Sequence, residues 1–328
     1  MRISGHSSPP TVWAVHDGKI GMANQVMGLA EAVGYPVIEK QVALRSPWRQ
    51  LTPALWVHPM AALSMQGAAL EPPWPDLLIA CGRTVTALAL AVKRLSRGRT
   101  FWVQVQDPRF ARRHVDLMVV PRHDPARGDN VVLTLGAVHW VRLERIEEDR
   151  ARFAPCFADL PRPIVGVLLG GTNRVYRLDA AAVTTLGDQL AALSRQGFGI
   201  AITPSRRTSH AAVAALRQRL DGVAYYLWDG SGENPYFGLL AHADTLLVTG
   251  DSVNMVSEAA ATGKPVQVID LEGGSAKFLR FHDLLRRAGV TRPFAGTIER
   301  WSYAPLDDTE RAAAEIRRRL AIRLAEIA

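Results

Sequence analysis

The sequence predicts an α/β protein with two Rossmann-like domains, each built on a parallel sheet. Apolar runs of strand length alternate with helical segments along the chain, as parallel α/β layers require. The 328 residues are about twice the length of a typical single domain. A stretch with three prolines, Pro155–Pro163, separates two such series and predicts a linker. We therefore predict a first domain over residues 1–157, a second over 163–306, and a closing helix over 307–328.

The first domain begins with a strand followed by a helix, and this order is repeated. The predicted strands are Val12–His16, Asp76–Cys81, Phe101–Gln106, Asp116–Val120 and Val131–Leu135. The predicted helices are Met22–Val33, Thr86–Leu95 and Arg142–Phe153. The region Ser46–Pro75 is rich in Pro, Trp and Met, and it predicts either buried loop packing or a surface for an apolar partner.

The second domain repeats the pattern more regularly. Its predicted strands are Ile164–Leu169, Gly199–Pro204, Val223–Trp228, Thr245–Thr249 and Val266–Leu271. Its predicted helices are Asp179–Arg195, Ser209–Leu220, Pro235–Ala241, Val253–Thr262 and Lys277–Ala288. The closing segment Asp307–Ala328 predicts a helix that Asp308 can cap, with arginines towards its end that favour the helix dipole.

The composition excludes several classes of site. Cys81 and Cys156 are the only cysteines and stand in unrelated settings, so they predict neither a disulfide framework nor a thiolate metal site. The nine histidines are scattered without ligand spacing, and we predict no bound metal. No Gly-x-x-x-x-Gly-Lys-Ser/Thr or Gly-x-Ser-x-Gly sequence occurs, which argues against P-loop phosphoryl transfer and against an α/β-hydrolase.

The net charge of +8 comes mostly from arginine and suits an anionic substrate or an anionic membrane face. RNP, zinc-finger and helix-turn-helix signatures are absent, so we predict no nucleic-acid partner. No apolar run reaches the ~18–20 residues of a membrane span. Met1–Pro10 lacks the apolar core of a signal peptide, and we expect a cytoplasmic protein.

The strongest constellation is the strand–turn–helix from Thr249 through Glu258. A helix N-terminus carries free N–H groups and about half a positive charge, so the turn accepts phosphate without a lysine. Glu258 can bind a ribose diol through two hydrogen bonds. The predicted nucleotide-binding residues here are Gly250, Asp251, Ser252, Asn254 and Glu258. The alternative is that Asp251 and Ser252 only cap the helix and that Glu258 is solvated.

Two further strand ends predict the rest of this site. The carboxyl edge of an open parallel sheet is where ligands bind, and both strands end there in polar or glycine loops. The first loop offers close backbone approach and a hydroxyl, and the second offers two arginines that can clamp a diphosphate. The predicted residues are Gly170, Gly171, Thr172, Asn173, Ser205, Arg206 and Arg207. A purely basic helix-start loop is the alternative for the arginines.

The first domain has its own glycine turn between strand and helix. Its predicted acceptor-side residues are Asp17, Gly18, Lys19, Gly21, Asn24 and Gln25, together with Arg109 after a later strand. Asp107 is the predicted general base, because a carboxylate at a strand end can take a proton from an acceptor hydroxyl. The alternative is that Asp107 pairs with Arg109 or caps a turn.

Five stretches of the chain resemble a known family. Asp17–Gln25, Trp102–Arg109, Leu169–Asn173, Pro204–Thr208 and Gly250–Val266 resemble the mitochondrial-fission family of the ELM (elongated-mitochondria) type and its bacterial relatives. The second half is more distantly similar to GT-B glycosyltransferases and to the non-hydrolysing UDP-GlcNAc 2-epimerases. This resemblance implies two Rossmann-like domains facing across a cleft, a nucleotide held by the C-terminal one, and a terminal helix that crosses back to the first.

The same resemblance implies roles for single residues. Glu258 would hold the nucleotide ribose, Ser252 and the backbone after Gly250 would lie near the diphosphate, and Gly170–Thr172 would form the other wall. One position departs from the glycosyltransferase pattern: Met22 stands where a histidine commonly follows the glycines. Nucleotide-sugar binding is therefore better supported than transfer chemistry.

The leading hypothesis is a metal-independent GT-B glycosyltransferase that uses a nucleoside-diphosphate sugar as substrate, without a cofactor. Its acceptor would be a cell-envelope or lipid-linked compound at the inner membrane face, met by Ser46–Pro75. Arg206, Arg207 and Lys264 would stabilise leaving-group charge. A non-catalytic nucleotide-binding scaffold of the same shape is one alternative. A sugar-nucleotide epimerase is another, although we find few of the acids and bases that it needs.

Overall fold

The protein is described by a computed structural model over residues 9–327; Met1–Ser8 and Ala328, and with them most of the predicted polar N-terminus, lie outside the described residues. Two compact units divide the chain. The first extends to Trp140 and also includes Asp307 onward, and the second is Val141–Leu306. Each unit has a six-stranded sheet in which every strand pair is parallel.

The sheet of the first unit has the order β2-β1-β3-β4-β5-β6. Its strands are β1 Val12–His16, β2 Val37–Gln41, β3 Leu77–Cys81, β4 Phe101–Val105, β5 Leu117–Pro121 and β6 Val131–Thr134. Its helices are α1 Ile20–Val33, α2 Arg83–Leu95 and, from the end of the chain, α9 Asp308–Ile327. The four central strands are buried along their whole length, which explains why they are continuous apolar runs. β2 was not predicted, because this edge strand is half exposed and contains Glu39 and Lys40.

The closing helix α9 packs against α1 in the first unit, and Ile316 and Leu320 belong to the same core as the central strands. Asp308 is the first residue of α9, and its side chain bonds a neighbouring loop. Its Oδ2 accepts hydrogen bonds from the N–H groups of Leu135 and Gly136, at 2.9 and 2.8 Å. The buried carboxylate therefore ties the start of α9 to the loop after β6.

The Pro- and Trp-rich region 46–75 has two short 3-10 turns, Pro53–Leu55 and Pro59–Ala62. Trp56 is buried and packs edge-to-face on Trp48, with ring centroids 6.0 Å apart. Leu55 and Val57 on either side of it are 74% and 81% exposed. Part of this region is therefore packed loop, as one of the two predictions has it, and part is exposed apolar surface; an apolar partner for that surface stays a prediction.

The sheet of the second unit has the order β10-β9-β7-β11-β12-β14. Its strands are β7 Ile164–Leu169, β9 Gly199–Pro204, β10 Tyr225–Leu227, β11 Thr245–Thr249, β12 Val266–Ile269 and β14 Thr291–Pro293. Its helices are α3 Leu143–Phe157, α4 Ala180–Arg195, α5 His210–Arg219, α6 Tyr236–His242, α7 Val253–Ala260 and α8 Ala276–Arg287. A small antiparallel ribbon joins β8, Tyr176–Arg177, to β13, Glu272–Gly273.

Helix α3 belongs to the second unit and continues through Pro155, the first residue of the predicted linker, to Phe157. It packs on α6, where a Cβ at Gly238 would lie only 2.5 Å from Cβ of Phe153. Phe157 packs edge-to-face on Tyr226, with centroids 5.2 Å apart. Pro155 has no N–H and removes one hydrogen bond from the last turn of α3. Burial of the Phe153 and Phe157 rings compensates for that loss.

The strand order creates a topological switch point in the second sheet. From β7 the chain proceeds to β9 on one side and later returns to β11 on the other. The loops after β7 and β11 therefore leave the same edge of the sheet in opposite directions, which is where open α/β sheets bind ligands. The first sheet has the same arrangement around β1, which lies between β2 and β3.

Candidate functional site

The loops after β7 and β11 are in direct contact. The Gly170 N–H donates to Oγ1 of Thr249 at 2.7 Å, and the Gly171 N–H donates to Oδ2 of Asp251 at 3.2 Å. The structure thus brings together two of the three segments that the sequence predicted as one site. Besides the two backbone N–H groups, Nδ2 of Asn173 donates to the Asp251 carbonyl at 3.4 Å, so the segment after β7 is fixed to the segment after β11 at three points.

Glycine is required at both positions of this contact. A Cβ on Gly170 would lie 2.0 Å from Oδ1 of Asp251, and a Cβ on Gly171 would lie 2.1 Å from the carbonyl oxygen of Arg207. Both distances are far below van der Waals contact. The glycines therefore allow three loops to meet at the switch point.

Asp251 and Arg207 form the polar centre of these loops. The Asp251 side chain is wholly buried, and its Oδ2 lies 2.5 Å from Nη2 of Arg207. Oδ1 of Asp251 has no hydrogen-bond partner among the described residues. Asp251 is therefore more than the helix cap of the alternative hypothesis, since it holds the guanidinium of Arg207 in place.

The neighbouring arginine is in a different environment. Arg206 is exposed, and its side chain makes no hydrogen bond or ion pair with the residues that the structure describes. Both arginines of the predicted diphosphate clamp are exposed, but Arg206 is the one whose side chain has no partner among the described residues. Arg207 already shares its charge with Asp251.

The loop after β9 is fastened to β7. The Ser205 N–H donates to the Leu169 carbonyl at 2.8 Å, and the Thr208 hydroxyl donates to the Gly170 carbonyl at 2.5 Å. The Ser205 hydroxyl accepts from the Arg207 N–H at 3.2 Å. These bonds position the backbone of Arg207 beside Gly171, and Ser205 shapes the turn with its side chain.

The side chains of Thr172 and Asn173 accept hydrogen bonds from backbone N–H groups of the turn that follows them. Oγ1 of Thr172 accepts from the Leu178 N–H at 3.1 Å, and Oδ1 of Asn173 accepts from the N–H groups of Val175 and Tyr176 at 2.8 and 3.0 Å. Their side-chain oxygens therefore shape the turn into β8. The ligand-binding capacity of this loop lies mainly in its backbone.

The N-terminus of α7 follows directly. Ser252 is its N-cap, and its hydroxyl accepts from the Met255 N–H at 3.3 Å. Asn254 is half-buried on the first helical turn. The N–H groups of a first helical turn and the helix dipole favour an anion at this position.

Glu258 is buried on α7, so the alternative of a solvated side chain is wrong. Its Oε2 accepts a hydrogen bond from the hydroxyl of Tyr236, at 2.5 Å. Burial and the adjacent carboxylate raise the pKa of Tyr236 well above its usual value, which keeps the phenol protonated as a donor. Tyr236 was not among the predicted site residues. Its only sequence signal is that it begins a helix after Asn234-Pro235, at the same edge of the sheet.

Lys264, the third predicted charge-stabilising residue, is bonded to the backbone of α6. Its Nζ donates to the carbonyls of Leu240 and Ala241 at the end of α6, at 2.7 Å each. Burial lowers the pKa of Lys264 to about 8. These bonds make Lys264 a C-cap of α6, which is a structural role.

The glycine turn of the first unit is held by local contacts. Oδ2 of Asp17 lies 2.5 Å from Nζ of Lys19, and the Gly18 N–H donates to Nδ1 of His16 at 3.1 Å. Gly18 has a φ of +77°, which favours glycine. The buried His16 bonds Glu39 through Nε2 at 2.8 Å. His16 thus supports the turn from beneath.

Further along α1, Gln25 is buried and its Oε1 accepts from Nε2 of Gln106 at 3.2 Å. Gly21 and Asn24 are half-buried on the first turns of the helix. Met22 lies beside Gly82, where a Cβ would come within 2.6 Å of its sulfur. Gln25 therefore connects α1 to the end of β4, where Asp107 follows.

Asp107 is engaged by an arginine. Its Oδ1 accepts from the Arg109 N–H at 2.9 Å and from Nε of Arg112 at 2.8 Å, and its Oδ2 pairs with Nη2 of Arg112. Gln106, Arg109 and Ala111 all have positive φ values, of 66°, 64° and 60°. Three left-handed non-glycine residues within six positions mark this loop as strained. The exposed Arg109 side chain extends from it.

Two adjoining hollows lie on the same unit. One of about 530 Å³ is lined mainly by apolar side chains, including Trp56, Val57, Leu90 and Phe110, with Arg94 beside them. Nε1 of the buried Trp56 has no hydrogen-bond partner among the described residues. The first hollow therefore has an apolar wall with one buried donor.

The second hollow, of about 360 Å³, shares Leu90 with the first and is lined by Arg109, Arg112, Arg113 and His114. Burial, followed by the charges of Arg113, Arg94 and Lys93, lowers the pKa of His114. The three cations add to the effect of burial, and together with Arg109 and Arg112 they make the surroundings of this hollow basic. An apolar hollow thus adjoins a basic one.

Residues 9–327 contain no group of three or more His, Cys, Asp or Glu arranged to hold a metal ion. Over the same part of the chain, no helix is both long and apolar enough to cross a membrane.

The profile of the family described as "Mitochondrial fission ELM1" matches residues 20–320. The chain belongs to this family. It is 35% identical over 277 residues to mitochondrial fission protein ELM1 of Arabidopsis thaliana, a match that covers 76% of the chain and 65% of the plant protein. It is 24% identical over 278 residues to the uncharacterized protein RP120 of Rickettsia prowazekii, covering 73% and 78% of the two chains. The predicted family is confirmed, and this member spans somewhat less than two thirds of its plant relative.

Solved structures similar to this ELM1-family chain have the GT-B fold. The UDP-GlcNAc 2-epimerase of Methanocaldococcus jannaschii superposes with a TM-score of 0.59 at 11% identity, over 95% of this chain and 99% of that one. The UDP-GlcNAc 2-epimerase of Neisseria meningitidis, bound to UDP-GlcNAc, gives 0.51 at 14% identity, over 95% and 99%. MurG of Acinetobacter baumannii gives 0.50 at 14% identity, over 97% and 94%. The predicted α/β, GT-B-like fold class is confirmed.

Proposed function

We propose that this ELM1-family chain is a metal-independent glycosyltransferase whose donor, a nucleoside-diphosphate sugar, binds the second unit. The observation that carries the proposal is the meeting of two glycine N–H groups, the Arg207–Asp251 pair and the turn into the α7 N-terminus at the switch point of one sheet. Exposed Arg206 precedes Arg207 in the same turn, and the buried carboxylate of Glu258 lies further along α7. Anion-binding donors and a diol-binding carboxylate are the two features that a nucleoside diphosphate needs. A structural neighbour binds UDP-GlcNAc, which supports the same ligand class.

The roles follow from the contacts. The diphosphate would lie against Gly171 and the first turn of α7, with Arg206 supplying the mobile positive charge. Glu258, oriented by the Tyr236 hydroxyl, would accept from the ribose diol. Arg207 would remain with Asp251, because removing it would leave a buried carboxylate without its cation.

The acceptor would be an amphiphile at the face of an anionic membrane on the cytoplasmic side. The apolar hollow around Trp56 and the exposed Leu55 and Val57 suit an alkyl or prenyl chain, and the basic hollow beside them suits a phosphate head group. Arg109 would contact that head group, since its side chain is exposed and lines the basic hollow. A lipid-linked acceptor combines both chemistries.

In the transfer step, an acceptor hydroxyl oxygen would form a bond to the anomeric carbon of the sugar. The bond from that carbon to the diphosphate oxygen breaks, and the nucleoside diphosphate leaves with the electron pair. Arg206 and the α7 N-terminus offset the developing charge in place of a bound cation. Asp107 would take the acceptor proton after Arg112 releases one of its oxygens.

The test is a turnover assay with the purified chain in chelator-containing buffer. UDP-GlcNAc and other nucleoside-diphosphate sugars are incubated with and without a polyprenyl-diphosphate-linked monosaccharide, which carries free sugar hydroxyls, in vesicles, and nucleotide release and sugar configuration are followed by NMR. The proposal expects nucleotide release only when the lipid is present, and none with Asp107→Asn. Conversion of the sugar nucleotide to its 2-epimer without lipid would assign epimerase chemistry instead.

A second function is favoured by one observation. Both carboxylate oxygens of Asp107 are occupied by Arg112 and the Arg109 N–H, which is the arrangement of a structural ion pair. A protein of this kind would bind the nucleotide without turning it over and act as a scaffold. It would show saturable nucleotide binding, no product with any acceptor, and equal binding by the Asp107→Asn variant.

A further inference from the structure

The second unit has a cavity of about 250 Å³ that the nucleotide residues do not line. Helix α8 supplies Leu279, His282 and Arg286, and the strands supply Val268 from β12 and Thr291 from β14. Its volume is below the ~300–1,000 Å³ of pockets for drug-sized ligands, so it suits a smaller molecule.

Two buried polar atoms of the cavity lining lack partners. Nδ1 of His282 and Oγ1 of Thr291 make no hydrogen bond to any described residue, although the residues are only 8% and 2% exposed. Buried polar atoms without hydrogen bonds are costly, at roughly 1–3 kcal/mol each. Their residues line one cavity, His282 from a helix and Thr291 from a strand, so a ligand group that enters between them can supply the missing partner to both.

The chemistry of these two atoms is fixed by their surroundings. Nε2 of His282 lies 2.8 Å from the Gly250 carbonyl, so it must carry the proton that it donates. Burial lowers the pKa of His282, which keeps the ring neutral and leaves a lone pair on Nδ1. Nδ1 therefore requires a donor, while the Thr291 hydroxyl can donate or accept. A ligand hydroxyl can donate to Nδ1 and accept from Thr291.

The other polar groups of the lining balance one another. Asp270 offers an exposed carboxylate, and Arg286 an exposed guanidinium. The second lining arginine, Arg292, is already paired with Glu299 at 2.5 Å. A simple anion would face the Asp270 charge, and a simple cation would face Arg286. A neutral ligand with several hydroxyls can donate to the Asp270 carboxylate and accept from the Arg286 guanidinium.

We propose that the second unit carries a binding site for a neutral polyhydroxylated molecule of monosaccharide size, held by His282, Thr291 and Asp270. The ligand places one hydroxyl between Nδ1 of His282 and Oγ1 of Thr291. Its remaining hydroxyls contact Asp270 and Arg286 at the rim. Val268 and Leu279 pack against the carbon face of the ring. The site does not depend on the proposed transferase activity.

The test uses protein with ¹⁵N-labelled histidine, titrated with glucose, N-acetylglucosamine or myo-inositol and observed through the ring nitrogens of His282. At least one of these probes should shift the Nδ1 resonance saturably. Thr291→Val should weaken the binding of that probe at least about tenfold, which corresponds to the loss of one hydrogen bond. Thr291→Ser should retain binding, and Glu258→Gln should leave it unchanged. Thr291→Val keeps the shape of the side chain and Thr291→Ser keeps its hydroxyl, and the melting curves of both variants report folding separately.

Three outcomes would overturn the proposal. The first is the absence of any shift with all three probes. The second is equal binding by wild type and Thr291→Val. The third is an Nδ1 shift with inorganic phosphate that matches or exceeds the shift with the sugars, since that would make the cavity an anion site.

Discussion

The guanidinium of Arg207 lies 2.5 Å from the wholly buried carboxylate of Asp251, and Arg206 beside it is exposed to solvent. The two arginines of one turn therefore have separate tasks. Arg207 neutralises a buried charge and secures the turn, and Arg206 remains available to a ligand. This division changes the predicted diphosphate clamp from two arginines to one.

The two arginines should respond differently to substitution. Arg206→Ala should weaken UDP binding about tenfold, the value of one charge-assisted contact, and leave the unfolding free energy unchanged. Arg207→Ala should lower that free energy by about 1–3 kcal/mol. This is less than for a fully buried pair, because Arg207 is 41% exposed and partly screened. Calorimetry measures UDP binding by both variants, and urea unfolding measures their stability. Loss of stability in Arg206→Ala together with loss of UDP affinity alone in Arg207→Ala would contradict the separate roles.

Tyr236→Phe should lower both stability and nucleotide affinity. The substitution removes the donor to Oε2 of Glu258 and leaves a buried charged acceptor with one partner fewer, which costs roughly 1–3 kcal/mol. Glu258, the carboxylate proposed to bind the ribose, would also lose its fixed orientation. Tyr303→Phe is the matched control, because its hydroxyl bonds the Lys264 carbonyl at 2.5 Å. It should reduce stability alone, and an equal loss of UDP affinity in both variants would argue against a specific role for Tyr236.

Gly171→Ala should disrupt the meeting of the loops. Its Cβ would stand 2.1 Å from the carbonyl oxygen of Arg207, so the backbone must move, at a cost of about 1–3 kcal/mol. UDP affinity should fall because the backbone proposed to face the diphosphate shifts. Gly197→Ala serves as control, since it is strained by a φ of +96° but meets no atom within 4 Å. It should lower the melting temperature without changing UDP affinity.

His282 should make stability fall below pH 6.5. Burial is the largest cause of its lowered pKa, and Arg286 lowers it further, while the Gly250 carbonyl, Asp270 and Asp251 raise it. The unfolded chain therefore binds a proton more readily than the folded one, so stability is complete above the ordinary value of 6.5 and is lost as the pH falls towards the lowered folded value. When the pH is lowered from above 6.5 to below it, the free energy of unfolding measured with urea should fall less for His282→Gln than for the wild type. Equal losses in both proteins would exclude this titration.

Much of the second unit is predictable from sequence, because its central strands are buried on both faces. The bounds predicted for β7, β9 and β11 agree with the structure, since continuous apolar runs between glycines and polar turns have few other interpretations. The parallel order then brings their carboxyl ends to one edge. The edge strands β2 and β14 were missed, because they are short or half exposed and have no apolar run.

The partners of the site residues were less predictable. Glu258 and Tyr236 are 22 positions apart, and Arg207 and Asp251 are 44 apart, so their pairing depends on how helices and loops pack. Sequence spacing shows which strand end a residue follows, but it does not show whether its side chain faces solvent or another loop. For that reason the sequence predicts the same diphosphate-binding role for Arg206 and for Arg207.

The most direct test of the nucleotide site is a calorimetric titration of UDP into wild-type protein, Glu258→Gln and Arg206→Ala. The proposed site predicts saturable binding by the wild type that is weakened at least about tenfold in each variant, with the melting temperature of Arg206→Ala unchanged. Absence of UDP binding by the folded wild type, or equal affinity in all three proteins, would contradict it.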